Sequence, residues 1–112
     1  MKNEIIVQKL VAYAEKVIRY CEDVDYEQFS ADTKLAEACV FNLSQMGELA
    51  NRIDGAFAAE HPEIPWRDIY GLRNRIVHDY EGVNLLLIWQ IIHDDLPALK
   101  ENLRAIQTEN AF

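Results

Sequence analysis

Between Gly71 and Tyr80 the sequence reads GLRNRIVHDY, a stretch that gathers the residue types of acid–base and phosphate chemistry. Arg73 offers a permanent, fork-shaped cation that fits a phosphate and offsets charge added in a transition state. His78 carries an imidazole that can take and return a proton near neutral pH. Asn74 stands four residues before His78, so on one continuous helix the amide shares a face with the ring and fixes its tautomer. Arg73 and His78 are harder to unite, because five residues turn a regular helix through about 140°. They converge if His78 sits where the helix unwinds ahead of Gly82. They also converge if two protomers pack about a two-fold axis and pool their residues.

An arginine and a histidine so placed suit cleavage of RNA without a metal. The ribose 2′-hydroxyl attacks the adjacent phosphate, and the expected products are a 2′,3′-cyclic phosphate and a 5′-hydroxyl. Arg75, spaced for an ion pair with Asp79, is a further candidate for gathering RNA phosphates, as are Arg52 and Arg67. Glu48 is a carboxylate that could reach the same cleft. Of possible metal sites the best is His93-Asp94-Asp95, but three adjacent residues do not face one direction, so no metal or other cofactor is expected. An Arg-x4-His spacing is not specific by itself, and its meaning depends on the surrounding elements.

Those elements read as helices throughout. The 112 residues are the size of one domain, expected to span 1–112. From Ile5 to Cys21 the positions Ile6, Leu10, Tyr13, Ala14, Val17, Ile18 and Cys21 recur at helical spacing, and the acidic stretch Glu22 to Glu27 ends that helix as a solvated turn. Ser30 or Asp32 caps a second helix through Leu35, Cys39, Met46, Leu49 and Ile53, its apolar face widened by Phe41 and Leu43. After the loop His61 to Pro65, Trp66 opens a third helix with Ile69, Leu72, Ile76 and Val77 inward. Asn84 caps a fourth through Leu85, Ile88, Trp89 and Ile92, and Pro97 kinks it or begins a fifth. No strand-like alternation competes, so the expected fold is an all-α, four- to five-helix up-down bundle. Trp66 and Trp89 are expected as core or interface anchors.

Half of the residues are apolar, but the longest apolar run, Leu85 to Trp89, is far short of a membrane span. Met1-Lys2-Asn3-Glu4 has no basic, apolar leader, and Cys21 and Cys39 read as reduced core thiols without paired redox spacing, so the expected compartment is the cytoplasm. The net charge of −8 opposes passive coating of nucleic acid. Any RNA site must therefore concentrate its few arginines in one cleft. The same charge suits a basic protein partner equally well.

The stretch Arg73-Asn-Arg-Ile-Val-His78-Asp-Tyr80 resembles the Arg-x4-His-x-Tyr motif of the HepT-like branch of the HEPN superfamily. Met46-Gly47-Glu48-Leu49-Ala50 is similar to that family's Gly-Glu-Ala segment. Pro62-Glu-Ile-Pro65-Trp66 and Ile69-Tyr70-Gly71-Leu72 resemble the approach to its catalytic helix, and Trp89 with Asp95-Leu96-Pro97-Ala98-Leu99 its C-terminal pattern. The resemblance runs from about Ala38 to Leu103. It implies a homodimer with Arg73 and His78 of both subunits in one cleft. It also implies a ribonuclease toxin held in check by a minimal nucleotidyltransferase antitoxin, which transfers AMP to the motif tyrosine, here Tyr80. AMP there would block RNA by bulk and charge. Glu81 departs from the pattern, standing where many relatives carry an aromatic residue. The chain is not itself the transferase, since none of its glycines precedes a serine.

Two other readings use the same residues. A helical dimer could hold nucleotides or a partner transferase and cleave nothing. A purely structural interaction protein would use Arg73 and His78 only to stabilise an interface.

Overall fold

A computed structural model describes residues 2–78 and 82–110, with the backbone alone of His78. The fold is an all-α helical bundle. Its frame is α1 (Asn3–Tyr20), α3 (Thr33–Ala50) and α8 (Leu96–Glu109), with α1 packed against both of the others. Between α1 and α3 lies the short α2 (Tyr26–Ala31), and after α3 come α4 (Gly55–Glu60), α5 (Trp66–Tyr70), α6 (Leu72–Ile76) and α7 (Leu85–Gln90).

The α1 stripe is buried as its spacing predicts: Ile6, Leu10, Ala14, Val17 and Cys21 all lie in the core. The helix stops at Cys21, and Asp23 turns the chain with φ 58°. The acidic stretch is shorter than expected, because Asp25 accepts from the Gln28 backbone N–H while Gln28 accepts from that of Asp25. This reciprocal capping starts α2 at Tyr26. Asp32, rather than Ser30, caps α3 by accepting from the Leu35 N–H at 3.0 Å. Leu43 is fully buried as predicted, but Phe41 is not: it points outward and is 61% exposed.

Gly47 sets how closely α3 meets α5. A Cβ there would lie 3.0 Å from the Ile69 carbonyl oxygen and 3.2 Å from that of Tyr70. Only a residue without a side chain lets the two backbones come so near. Trp66, half-buried, fastens the start of α5 by donating its indole N–H to the His61 carbonyl at 3.1 Å. Trp89 packs against Phe29 and Tyr26, tying α2 to α7.

The expected single helix from Trp66 to Val77 is two short helices with a bend at Gly71. It ends at Ile76, well short of Gly82, where the sequence placed its punctuation, since Val77 is already extended at φ −111°, ψ 123°. Contrary to the strand-free expectation, Val77–His78 (β1) pairs antiparallel with Gly82–Val83 (β2), matching Val77 to Val83 and His78 to Gly82. Gly82 holds φ +83°, a conformation that side chains strain. Asn84 then caps α7 by accepting from the Leu87 N–H. Pro97 stands in the first turn of α8, so it begins a helix, the second of the two alternatives read from sequence. A π-helical turn, Ile91–Asp95, absorbs the crowding between its ring and the preceding carbonyls, and α8 continues from it.

Candidate active site

Helix α6 presents its residues to two different sides of the bundle. Leu72 and Ile76 are buried and hold the helix to the core, which leaves Arg73, Asn74 and Arg75 exposed. Arg73 borders a groove of about 360 Å³ together with Glu37, Val40, Phe41 and Ser44 of α3 and Val83 of β2. Arg75, two residues on, borders another groove among Glu63, Asp68, Asp94 and Asp95. Residues two apart on a helix point roughly opposite ways, so the two arginines border different grooves, and Arg75, a candidate for gathering RNA phosphates, does not border the one beside Arg73.

The end of α6 decides where His78 can be. Because the chain is already extended at Val77, His78 does not share a helical face with Asn74, and the i,i+4 relation expected for them is absent. The helix has unwound by Val77, ahead of Gly82. Val77 faces Val83 across the hairpin, and Val83 lines the Arg73 groove, so the backbone of His78 is one residue from the rung that borders it. The His78 side chain, Asp79, Tyr80 and Glu81 lie outside the described residues. The expected Arg75–Asp79 pair falls there too, although it assumed a helix that has ended by Ile76.

Glu48 is exposed on α3, seven residues beyond Phe41 and four beyond Ser44, and so continues the face that forms the groove wall. Arg52 is exposed in the turn after α3, and Arg67 is exposed on α5. Sequence reasoning passed over Glu37, Ser44 and the outward ring of Phe41. Their i, i+4, i+7 spacing was the available signal, but it reads as a core stripe until a structure shows which way it faces.

His93 does not join Asp94 and Asp95. Its ring lies 3.8 Å from that of Trp89, with Nδ1 3.0 Å from the Trp89 carbonyl oxygen, while both aspartates line the Arg75 groove. Among the described residues no three His, Cys, Asp or Glu side chains gather as a metal site. Asn42, buried on α3, donates to the Ala38 carbonyl at 2.7 Å, and among the described residues its Oδ1 has no donor. The cysteines, remote in sequence, meet in the core with their sulfurs 3.8 Å apart. The hydrogen bond between them, reinforced by burial and by the charge Cys21 would carry, pushes the Cys39 thiol far above the ordinary range.

A family model described as Ribonuclease HepT-like matches residues 10–106. The chain is 31% identical over 93 residues to a candidate RNase of Methanocaldococcus jannaschii, covering 83% of this chain and 85% of that protein. It is 33% identical over 86 residues to a probable ribonuclease HepT of Thermococcus cleftensis, covering 77% and 78%. A candidate RNase of Caldanaerobacter subterraneus subsp. tengcongensis is 31% identical over 101 residues, covering 84% and 90%. No solved structure matches the chain significantly.

Proposed function

This chain belongs to the ribonuclease HepT-like family, and from that premise we propose that it is a metal-independent endoribonuclease whose site is built on Arg73 and His78. The observation that carries the reading is the break between them. α6 holds Arg73 at the rim of a groove, and the hairpin that follows returns along the same groove through Val83. A histidine carried on that hairpin is freed from the 140° separation that a continuous helix would impose.

In this mechanism the guanidinium of Arg73 binds the non-bridging oxygens of the scissile phosphate and offsets the charge that builds on them. His78 handles the protons: one leaves the attacking 2′-hydroxyl, and one reaches the departing 5′-oxygen. The 2′-oxygen–phosphorus bond forms as the 5′-oxygen–phosphorus bond breaks, leaving a cyclic phosphate and a 5′-hydroxyl. Asn74, exposed one residue from Arg73, acts in positioning. Two protomers of a homodimer bring their Arg73 and His78 residues into one cleft.

The physiological role we propose is that of a toxin in a toxin–antitoxin pair. Its neutralising partner is a minimal nucleotidyltransferase that places AMP on Tyr80. Tyr80 lies two residues after His78 in sequence, so an adenylyl group there would bring negative charge beside the phosphate site and repel RNA.

The test is end-group analysis of RNA cleaved in EDTA by the wild type, Arg73→Ala and His78→Ala. Cyclic-phosphate ends from the wild type alone support the assignment, and retained cleavage by either variant overturns it. Mixing the two inactive variants tests the shared cleft, since exchanged protomers then regain part of the rate.

A further inference from the structure

The groove beside Arg73 contains more than a cation. Phe41 is the most exposed large apolar side chain among the described residues, at 61%, on a helix whose other side is core. Glu37, Phe41 and Ser44 follow one another at i, i+4 and i+7, so a carboxylate, an aromatic ring and a hydroxyl stand in line along one wall. Val40 and Val83 add apolar surface, and Arg73 closes the far side.

We infer that this groove is a nucleotide subsite in which Phe41 stacks an unpaired base of the RNA whose phosphate Arg73 holds. The inference rests on the ribonuclease reading for its choice of ligand. A nucleotide matches the lining part by part: its phosphate meets Arg73, the only cation among the described lining residues, and its flat face meets the ring and the valines. Glu37 can only accept hydrogen bonds, so it faces a base edge that donates an amino group and disfavours the carbonyl edge of uracil. The ligand must be single-stranded, because a duplex hides the base faces that stack on aromatic rings.

The net charge of −8 gives this an energetic reason. Long-range attraction to phosphates is the usual source of affinity for RNA, and this chain repels them. Stacking on an aromatic ring is short-ranged and insensitive to salt, so it supplies affinity where the overall field does not.

The experiment measures binding of a fluorescein-labelled single-stranded RNA, 2′-O-methylated against cleavage, to the full chain by anisotropy. Cleavage of the unmodified RNA and the mass in solution by light scattering are followed in parallel. Phe41→Ala should raise Kd by about 5–150-fold, whereas Phe41→Trp retains binding and Glu37→Gln erases discrimination between adenine and uracil oligomers. Mass in solution should be the same for all variants. Wild-type affinity and cleavage in Phe41→Ala would overturn the subsite and leave the nuclease reading standing. Phe41-dependent binding without cleavage would uphold the subsite and remove the nuclease. A change of mass in Phe41→Ala would overturn the subsite by showing that a second copy covers the ring, and failure of the wild type to bind RNA would remove both.

Discussion

Gly47→Ala should destabilise the protein, although alanine is the better helix former. Gly47 is inside α3, where replacing glycine by alanine ordinarily stabilises by about 0.5–1 kcal/mol. Here the new methyl would sit 3.0 Å and 3.2 Å from two carbonyl oxygens at the end of α5. Those oxygens belong to the backbone and cannot rotate away. The helices must open by about 0.4 Å to reach the 3.4 Å at which such contacts become ordinary. Overpacking of this kind costs about 1–3 kcal/mol, which exceeds the propensity gain. The net loss, about 1 kcal/mol, corresponds to a fall in Tm of about 4 °C for a chain of this length. Calorimetry of the variant beside Gly55→Ala provides the comparison, since a Cβ at Gly55 meets nothing within 4 Å. A raised Tm in Gly47→Ala would refute the claim that close approach fixes α3 against α5.

Two further perturbations probe other features. Gly82→Ala forces a side chain into φ +83° at a strain of about 1–2 kcal/mol, which at the same ratio lowers Tm by about 4–8 °C. RNA cleavage measured well below that Tm should fall as the hairpin shifts; an unchanged rate would show that the hairpin does not position His78. Cys21 and Cys39 are 4% and 0% exposed, so burial should make both resist iodoacetamide at pH 8 in the native protein, although the Cys39 hydrogen bond lowers the Cys21 thiol, and both should react fully in guanidinium. Rapid native labelling, read by intact mass, would contradict their burial.

How legible each feature was in the sequence depended on how local its cause is. α1 and α3 announce themselves because long apolar stripes at helical spacing have one good solution, and Asp32 and Asn84 mark starts through a side-chain bond three residues away. The Asp25–Gln28 capping pair was equally local but was hidden in a run of acidic residues. The hairpin at His78 was not legible, because two-residue strands carry no alternation and their pairing follows from where α6 stops. Nor was the meeting of Cys21 with Cys39, which depends on how α1 packs on α3. For the site, the motif named Arg73 and His78, and the spacing anticipated a helix that unwinds ahead of Gly82. A continuous helix set Asn74 beside His78, whereas the short helix ends before that pairing. Phe41 shows the same limit, since a residue type gives no sign of the side to which it turns.

The central claim is metal-independent RNA cleavage dependent on His78. The direct measurement is cleavage in EDTA by wild type and His78→Ala, with intact mass first confirming that Tyr80 carries no adenylyl group. Cyclic-phosphate products from the unmodified wild type, absent from a folded His78→Ala, are the predicted result. Intact RNA after incubation with unmodified wild type, or equal cleavage by the variant, would contradict it.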